Sequence, residues 1–352
     1  MSLPNPSFWS AQRVLLTGHT GFKGSWTSLW LERLGATVHG VALAPDHVPN
    51  LYSRITPLAR HTVTIADIAD AAMLAAVATE FRPTIVLHMA AQPLVRRSFA
   101  DPAATFATNV MGTVNVFESL RKSPDLRAVL VVTTDKVYRN SGDGRRFVES
   151  DTLGGSDPYS ASKACAELVA MSYARSFFGD LGVALATARA GNVVGGGDWS
   201  ADRLVPDIWR AFHAGHPVEL RYPLATRPWQ HVLDSVAGYL CYLEHLVNGG
   251  VVPTALNFGP EEDEALTVAD VADIMARHLG IEAWRPMAGR HPPEMAALAL
   301  DASAARTALG WRARLDAPAA LRWTADWYRG FDNGDDVRRL TIAQIEAYEA
   351  LP

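Results

Sequence analysis

Short apolar runs recur along the chain, separated by stretches of helical periodicity. Val14-Leu15-Leu16-Thr17 is the first, and Thr37–Leu43, His61–Ile65, Thr84–Met89, Ala128–Thr133 and Val183–Ala188 follow. Runs this short and this apolar predict strands buried on both faces. Between them Phe22, Trp26, Leu29, Trp30 and Leu34 fall at helical spacing, and helices are expected over 70–80, 103–122 and 158–178. Strands alternating with helices predict an α/β fold with a doubly wound parallel sheet covered on both faces.

After Gly191 the rhythm changes. Gly195-Gly196-Gly197 is followed by an aromatic- and Arg-rich stretch to Trp229, and later come Pro-rich turns around Pro286 and Pro292-Pro293. The expected division is a sheet domain over 1–190 and a smaller, discontinuous C-terminal substrate-binding domain over most of 191–352. Residues 231–258 return to the sheet, because 231–248 reads as a helix and Ala255-Leu256-Asn257-Phe258 as one more strand. The polar end, Arg329 to Pro352, reads as a surface helix or tail.

At 352 residues, 49% hydrophobic and 20% charged, the chain belongs with globular rather than disordered proteins. A net charge of −5 excludes a basic face for nucleic acid, so an anionic ligand must be met by local Arg and Lys. Cys165 and Cys241 have no neighbouring cysteine, which predicts a reduced, cytoplasmic setting. The opening Met1–Pro6 lacks a signal pattern, and no long apolar run predicts a membrane span.

Chemistry enters at Gly18-His19-Thr20-Gly21-Phe22-Lys23-Gly24, directly after the first strand. Glycines at intervals of three let the backbone turn tightly and approach a pyrophosphate at a helix start, the signature of a Rossmann-type dinucleotide site. Asp67 is placed to bond an adenine edge, and Ala90, Ala91 and Asn109 to line the route to a nicotinamide. The tip of the second strand, Val41-Ala42-Leu43-Ala44, carries neither an acid for ribose hydroxyls nor an Arg for a 2′-phosphate, which leaves NAD against NADP open.

Tyr159 and Lys163 lie four residues apart, on one face of an expected helix that Asp157-Pro158 can start. There the ammonium is expected to acidify the phenol; a drop of about three pKa units requires about 4 kcal/mol. Thr134, at the end of the fifth strand, can bridge a substrate oxygen and the phenol. Together these residues predict alcohol oxidation. Asp135-Lys136 adds an acid and a base, hence a second proton transfer on the same substrate. Arg203 and Arg227-Pro228-Trp229-Gln230-His231 offer forked donors for phosphate and an aromatic for a base. His88, His213, His216 and His291 show no metal-ligand spacing, so no metal is expected.

These motifs, together with His88-Met89-Ala90-Ala91-Gln92-Pro93-Leu94-Val95-Arg96, Thr108–Thr113, and Arg189–Val193 through Gly197-Asp198-Trp199, resemble the extended short-chain dehydrogenase/reductases in their nucleotide-sugar dehydratase branch. The resemblance covers residues 10 to 330. It implies a lyase with tightly bound, self-regenerated NAD, held by Gly18, Thr20, Gly21, Phe22, Lys23, Gly24, Asp67, Ile68, Ala90, Ala91, Gln92, Asn109, Thr133, Tyr159 and Lys163. It further implies that Tyr159, with Lys163 and Thr134, takes the proton of the sugar's carbon-4 hydroxyl as hydride leaves for NAD. Lys136 then removes the carbon-5 proton, Asp135 protonates the departing carbon-6 hydroxyl, and hydride returns to carbon 6. Relatives acting on dTDP-glucose carry Glu in place of Lys136, so the lysine favours CDP-glucose as the small-molecule partner. Gln92, Asn192, Arg203, Arg227, Gln230 and His231 match the nucleotide-sugar side. The resemblance also implies homodimers, sometimes homotetramers, built on 103–122 and 158–178. Thr134 in place of Ser keeps the hydroxyl, and Ala66 in place of Gly before Asp67 touches only cofactor affinity. A nucleotide-sugar 4-epimerase would share Tyr159 and Lys163 but has no use for Asp135-Lys136; a redox-sensing binding protein needs neither pair.

Overall fold

The computed structural model describes residues 3–260, 266–280, 284–289 and 298–352; His291 and Pro292-Pro293 lie outside them. Seven strands, β1 (Arg13–Thr17), β2 (Thr37–Ala42), β3 (His61–Ile65), β4 (Ile85–His88), β5 (Ala128–Val132), β6 (Ala184–Ala190) and β7 (Ala255–Phe258), form one parallel sheet in the order β7-β6-β5-β4-β1-β2-β3. Thr17 lies opposite both Val41 and His88, so the strand order reverses at β1, and the crevice beyond the ends of β1 and β4 is where such sheets bind ligands. His88 closes this point from below, bonding Thr17 at 2.7 Å and Thr113 at 3.0 Å.

The two-residue period of the strands divides the interior. Val14, Leu16, Leu87 and Leu130 face one core, while Leu15, Val86, Val129 and Val131 face the other, so β1, β4 and β5 are apolar on both sides; His61–Ile65, expected to be buried, is instead the edge strand and leaves Val63 and Ile65 exposed. The first core continues without a break through Trp199, Trp229, Trp327 and Tyr348, which join the C-terminal half to the sheet.

Two expected helices each contain a π-helical turn. The first runs as Pro102–Phe106 and Gly112–Leu120 around Ala107–Met111; the second as Pro158–Tyr173 followed by Ala174–Phe178. The first turn buries Asn109, whose carboxamide bonds the backbone of Gln92 and the hydroxyl of Ser162. Such inserted turns recur at functional sites.

The polar C-terminal end is not a surface helix or tail. Val337–Glu349 buries Val337, Thr341, Ile345 and Tyr348, a spacing that puts all four on one face. Tyr348 donates to Asp234 at 2.8 Å, and Glu349 accepts from Trp30 at 2.9 Å. Those partners, more than 100 positions away, make an otherwise polar segment part of the core.

Candidate active site

The helix Pro158–Tyr173 begins at Pro158, and its cap Asp157 accepts from the Ser160 backbone at 2.9 Å. Tyr159 thus stands in the first turn, where its backbone N–H donates to Ser98 Oγ at 3.1 Å. Ser98 escaped the sequence reading because only the fold brings 98 to 159. The phenol is 8% exposed and hydrogen-bonded to Thr134.

The ammonium of Lys163 donates to the Val132 carbonyl at 3.0 Å, at the end of β5. Burial lowers its pKa to about 8, opposed by the charge of Glu167. The expected acidification of Tyr159 is not what this structure shows. Burial pushes the phenol up to about 12; the Thr134 hydrogen bond and the charge of Arg203 pull it down only in part, and Asp135 and Asp157 push it further up. Desolvation of the anion outweighs the neighbouring cations. The phenolate therefore needs further positive charge, which a bound oxidised nicotinamide would bring.

Asp135 and Lys136 are no solvated surface pair. Asp135 is fully buried, and its Oδ1 accepts from Thr134 at 2.9 Å and from Lys136 Nζ at 3.1 Å. Its Oδ2 has no partner among the described residues. A buried carboxylate oxygen left open costs free energy, so its persistence points to a ligand group that completes it. Lys136 is half-buried and lines a cavity of about 250 Å³ with Tyr138, Arg139, Asn140, Gly154, Gly155 and Ser156.

The Gly-rich turn is shaped for close approach. Gly18 has φ +77°, and a Cβ there would lie 2.7 Å from the Ala90 backbone; a Cβ on Gly24 would collide with the backbone of Gly18 and His19. Thr20 ties the turn to the Leu43 carbonyl at 2.8 Å, and Gly21 caps the helix Phe22–Arg33 without a side-chain acceptor, leaving its first N–H groups for an anion. Asp67 is exposed beside buried Ile68, and Ala90 and Ala91 are partly open at the end of β4. A turn that no larger residue could form, at a helix start on the switch point, fits a dinucleotide. Lys23 directs its ammonium to the Tyr239 hydroxyl at 3.5 Å; burial chiefly, then Arg203 and Lys163, lower its pKa to about 7 against Asp135 and Asp198.

Other expected site residues stand further back. Gln92 uses its side-chain amide on the Leu94 carbonyl and Thr105, and Asn109 is committed to Gln92 and Ser162, so both order the loop after β4. Thr133 bonds Glu167. Arg203, paired with Asp198 at 3.3 Å, acts electrostatically on Tyr159 and Lys23 and so faces the same space. Asn192 lies on a short strand, Asn192–Val194, beside Trp229–His231, and buried Arg227 donates to the Thr226 carbonyl at 2.8 Å. Gln230 and His231 are fully buried, and each keeps one polar atom, Gln230 Oε1 and His231 Nε2, without a hydrogen-bond partner among the described residues. Gln230 is buried with its amide on the Phe258 carbonyl. His231 caps the helix Val232–Val247 through Nδ1 and is packed edge-on against Trp26 and Trp323, and its burial lowers the pKa to about 3. Among the described residues no group of side chains is arranged to hold a metal ion.

A dinucleotide turn at the switch point, with a Tyr-Lys pair and a Thr-Asp-Lys end to β5 above it, describes an enzyme that oxidises an alcohol on a nicotinamide cofactor. Residues 14–259 match the NAD dependent epimerase/dehydratase family, and the chain belongs to that family. Its cofactor is NAD, which settles the choice that the tip of β2 left open. The chain is 42% identical to the CDP-glucose 4,6-dehydratase of Salmonella typhimurium over 97% of both chains. It is 28% identical to a dTDP-glucose 4,6-dehydratase of Xanthomonas campestris pv. campestris, over 89% of this chain and 92% of that one. The fold is shared with a dTDP-glucose 4,6-dehydratase of Bacillus anthracis in complex with NAD, at TM-score 0.77 and 23% identity over 92% of this chain and 99% of that chain. It is shared equally with a UDP-glucose 4-epimerase of Thermotoga maritima, at TM-score 0.79 and 21% identity over 91% and 99%.

Proposed function

We propose that the chain is a hydro-lyase that converts CDP-glucose to CDP-4-keto-6-deoxyglucose and water. The observation that carries this reading is the buried Asp135, with one oxygen held by Thr134 and Lys136 and the other buried without a partner among the described residues. The 42% identity to a CDP-glucose 4,6-dehydratase supports the choice of nucleotide. When bound, NAD supplies the electron acceptor at sugar carbon 4 and the donor at carbon 6.

The chain's own residues move the protons. Tyr159 takes the carbon-4 hydroxyl proton, with Thr134 bonded to both oxygens. The resulting ketone acidifies carbon 5, and Lys136 removes that proton. Asp135 gives a proton to the hydroxyl leaving carbon 6. Arg203, Arg227 and Asn192 hold the nucleotide diphosphate, and burial of Tyr159 and Asp135 excludes competing water. Residues 1–190 with 231–258 hold NAD, and the remainder of 191–352 holds most of the nucleotide sugar. An epimerase would leave Asp135 and Lys136 without a task. The product class belongs to deoxysugar biosynthesis, with lipopolysaccharide O-antigen one destination, in the cytoplasm; no helix among the described residues is long and apolar enough to cross a membrane.

Purified protein incubated with CDP-glucose, and in parallel with UDP-, dTDP- and GDP-sugars, should remove one water from CDP-glucose alone without added reductant, as read by mass spectrometry. A new 4-epimer of unchanged mass would replace this reading with the epimerase, and no change with any sugar would favour a binding protein.

The protein acts as a homodimer or homotetramer in this reading. Phe106, Met111, Leu168 and Met171 leave apolar side chains exposed on the two π-interrupted helices, which pack against each other. Met111→Lys combined with Leu168→Glu should reduce the mass in sedimentation to that of a monomer; an unchanged mass would place the interface elsewhere.

A further inference from the structure

We propose that Glu167, locked to Arg189, is a positioning residue that aligns Thr134, Tyr159 and Lys163 for proton transfer, an inference that rests on the dehydratase reading. Neither residue touches the cleft. Glu167 is fully buried on the helix that carries Tyr159 and Lys163, one turn beyond the lysine. Its Oε1 accepts from the Thr133 hydroxyl and from Arg189 Nε at 3.0 Å; its Oε2 accepts from Thr187 at 2.7 Å and Arg189 Nη2 at 2.8 Å. Arg189 Nη1 reaches on to the Tyr138 hydroxyl at 2.8 Å and the Glu149 carbonyl at 3.1 Å, and Tyr138 donates to Asn257 at 2.6 Å.

The carboxylate, together with the Arg189 guanidinium it holds, thus ties together the elements that supply the reacting side chains. Thr133 adjoins Thr134, Tyr138 follows Asp135-Lys136, and Glu167 shares a helix with Tyr159 and Lys163. Four directional bonds on one carboxylate fix position far better than apolar contact does. A buried ion pair is weak support for stability, since apolar replacements of similar volume are often as stable, so stability alone gives little reason for this pair. Positioning accounts for it.

The same carboxylate acts on Lys163 through space, raising a pKa that burial has lowered to about 8. The other titratable groups around Lys163 are Tyr159 from its own helix, Lys23 from Phe22–Arg33 and His88 from β4; burial, foremost, and then the Lys163 charge hold His88 neutral. Removing the Glu167 charge should therefore lower the Lys163 titration midpoint.

Glu167→Gln alone leaves the Arg189 guanidinium buried and unpaired, and folding can suffer. Glu167→Gln with Arg189→Met removes both charges and is the variant to measure. In holoenzyme carrying 13C-labelled lysine, with the Lys163 signal assigned by its loss in Lys163→Arg, the midpoint should fall below that of wild type. With CDP-glucose, kcat should fall at least about tenfold with KM within about twofold of wild type. An unmoved Lys163 midpoint together with unchanged kcat, whatever the melting temperature does, overturns the proposal. The NMR titration needs no substrate, so a wild-type protein inert toward CDP-glucose would defeat the dehydratase reading while the midpoint still decides whether Glu167 sets Lys163.

Discussion

Tyr159→Phe is expected to lower turnover of CDP-glucose by about 10²–10⁴-fold, the range associated with losing a positioned general acid or base. The phenylalanine ring fills the same buried space, and the helix keeps its Asp157 cap and the bond from the 159 backbone to Ser98, so the fold and NAD affinity should survive. What disappears is the one oxygen bonded to Thr134 that can accept the carbon-4 hydroxyl proton. The phenol is buried, so bulk water does not readily take its place. Turnover by mass spectrometry and NAD binding by fluorescence titration separate the two effects. Wild-type turnover in this variant would remove Tyr159 from the mechanism, and loss of NAD binding would make it a binding residue instead.

Lys136→Ala should split the reaction. In the proposed reaction, oxidation at carbon 4 falls to Tyr159, Thr134 and Lys163, none of which bonds Lys136 through its side chain, whereas loss of the carbon-5 proton falls to the lysine. On mixing with CDP-glucose, reduced-nicotinamide absorbance should rise and persist, while loss of water falls by about 10²–10⁴-fold. Lys136 is half-buried at the edge of a cavity, and Asp135 keeps its bond from Thr134, so truncation disturbs little else. Full dehydration by this variant would refute the role given to the lysine. Absorbance that never rises would instead show that Lys136 acts before or during oxidation.

The features legible in the sequence were those that depend on local spacing. The switch-point turn was readable because glycine is the only residue its geometry accepts at Gly18 and Gly24, and the first turn of the helix that carries Tyr159 because Asp157-Pro158 is a local capping signal. The surroundings of Gln230 and His231 were not legible, for a related reason. Their position next to Arg227 was local, but the direction of their side chains was set by burial against Phe258, Trp26 and Trp323. The terminal helix shows the converse case, since its few apolar positions acquire partners only when Trp30 and Asp234 arrive from the first and third quarters of the chain.

By itself the sequence determined the parallel sheet, the dinucleotide turn and the spacing of Thr134, Asp135, Lys136, Tyr159 and Lys163, because strand period, helix period and capping chemistry act within a few residues. Only the tertiary structure decided the state of that constellation. Desolvation and charge depend on what the whole fold brings near a group, and here they raise the Tyr159 phenol, lower Lys163, and set Glu167 and Arg189 behind both.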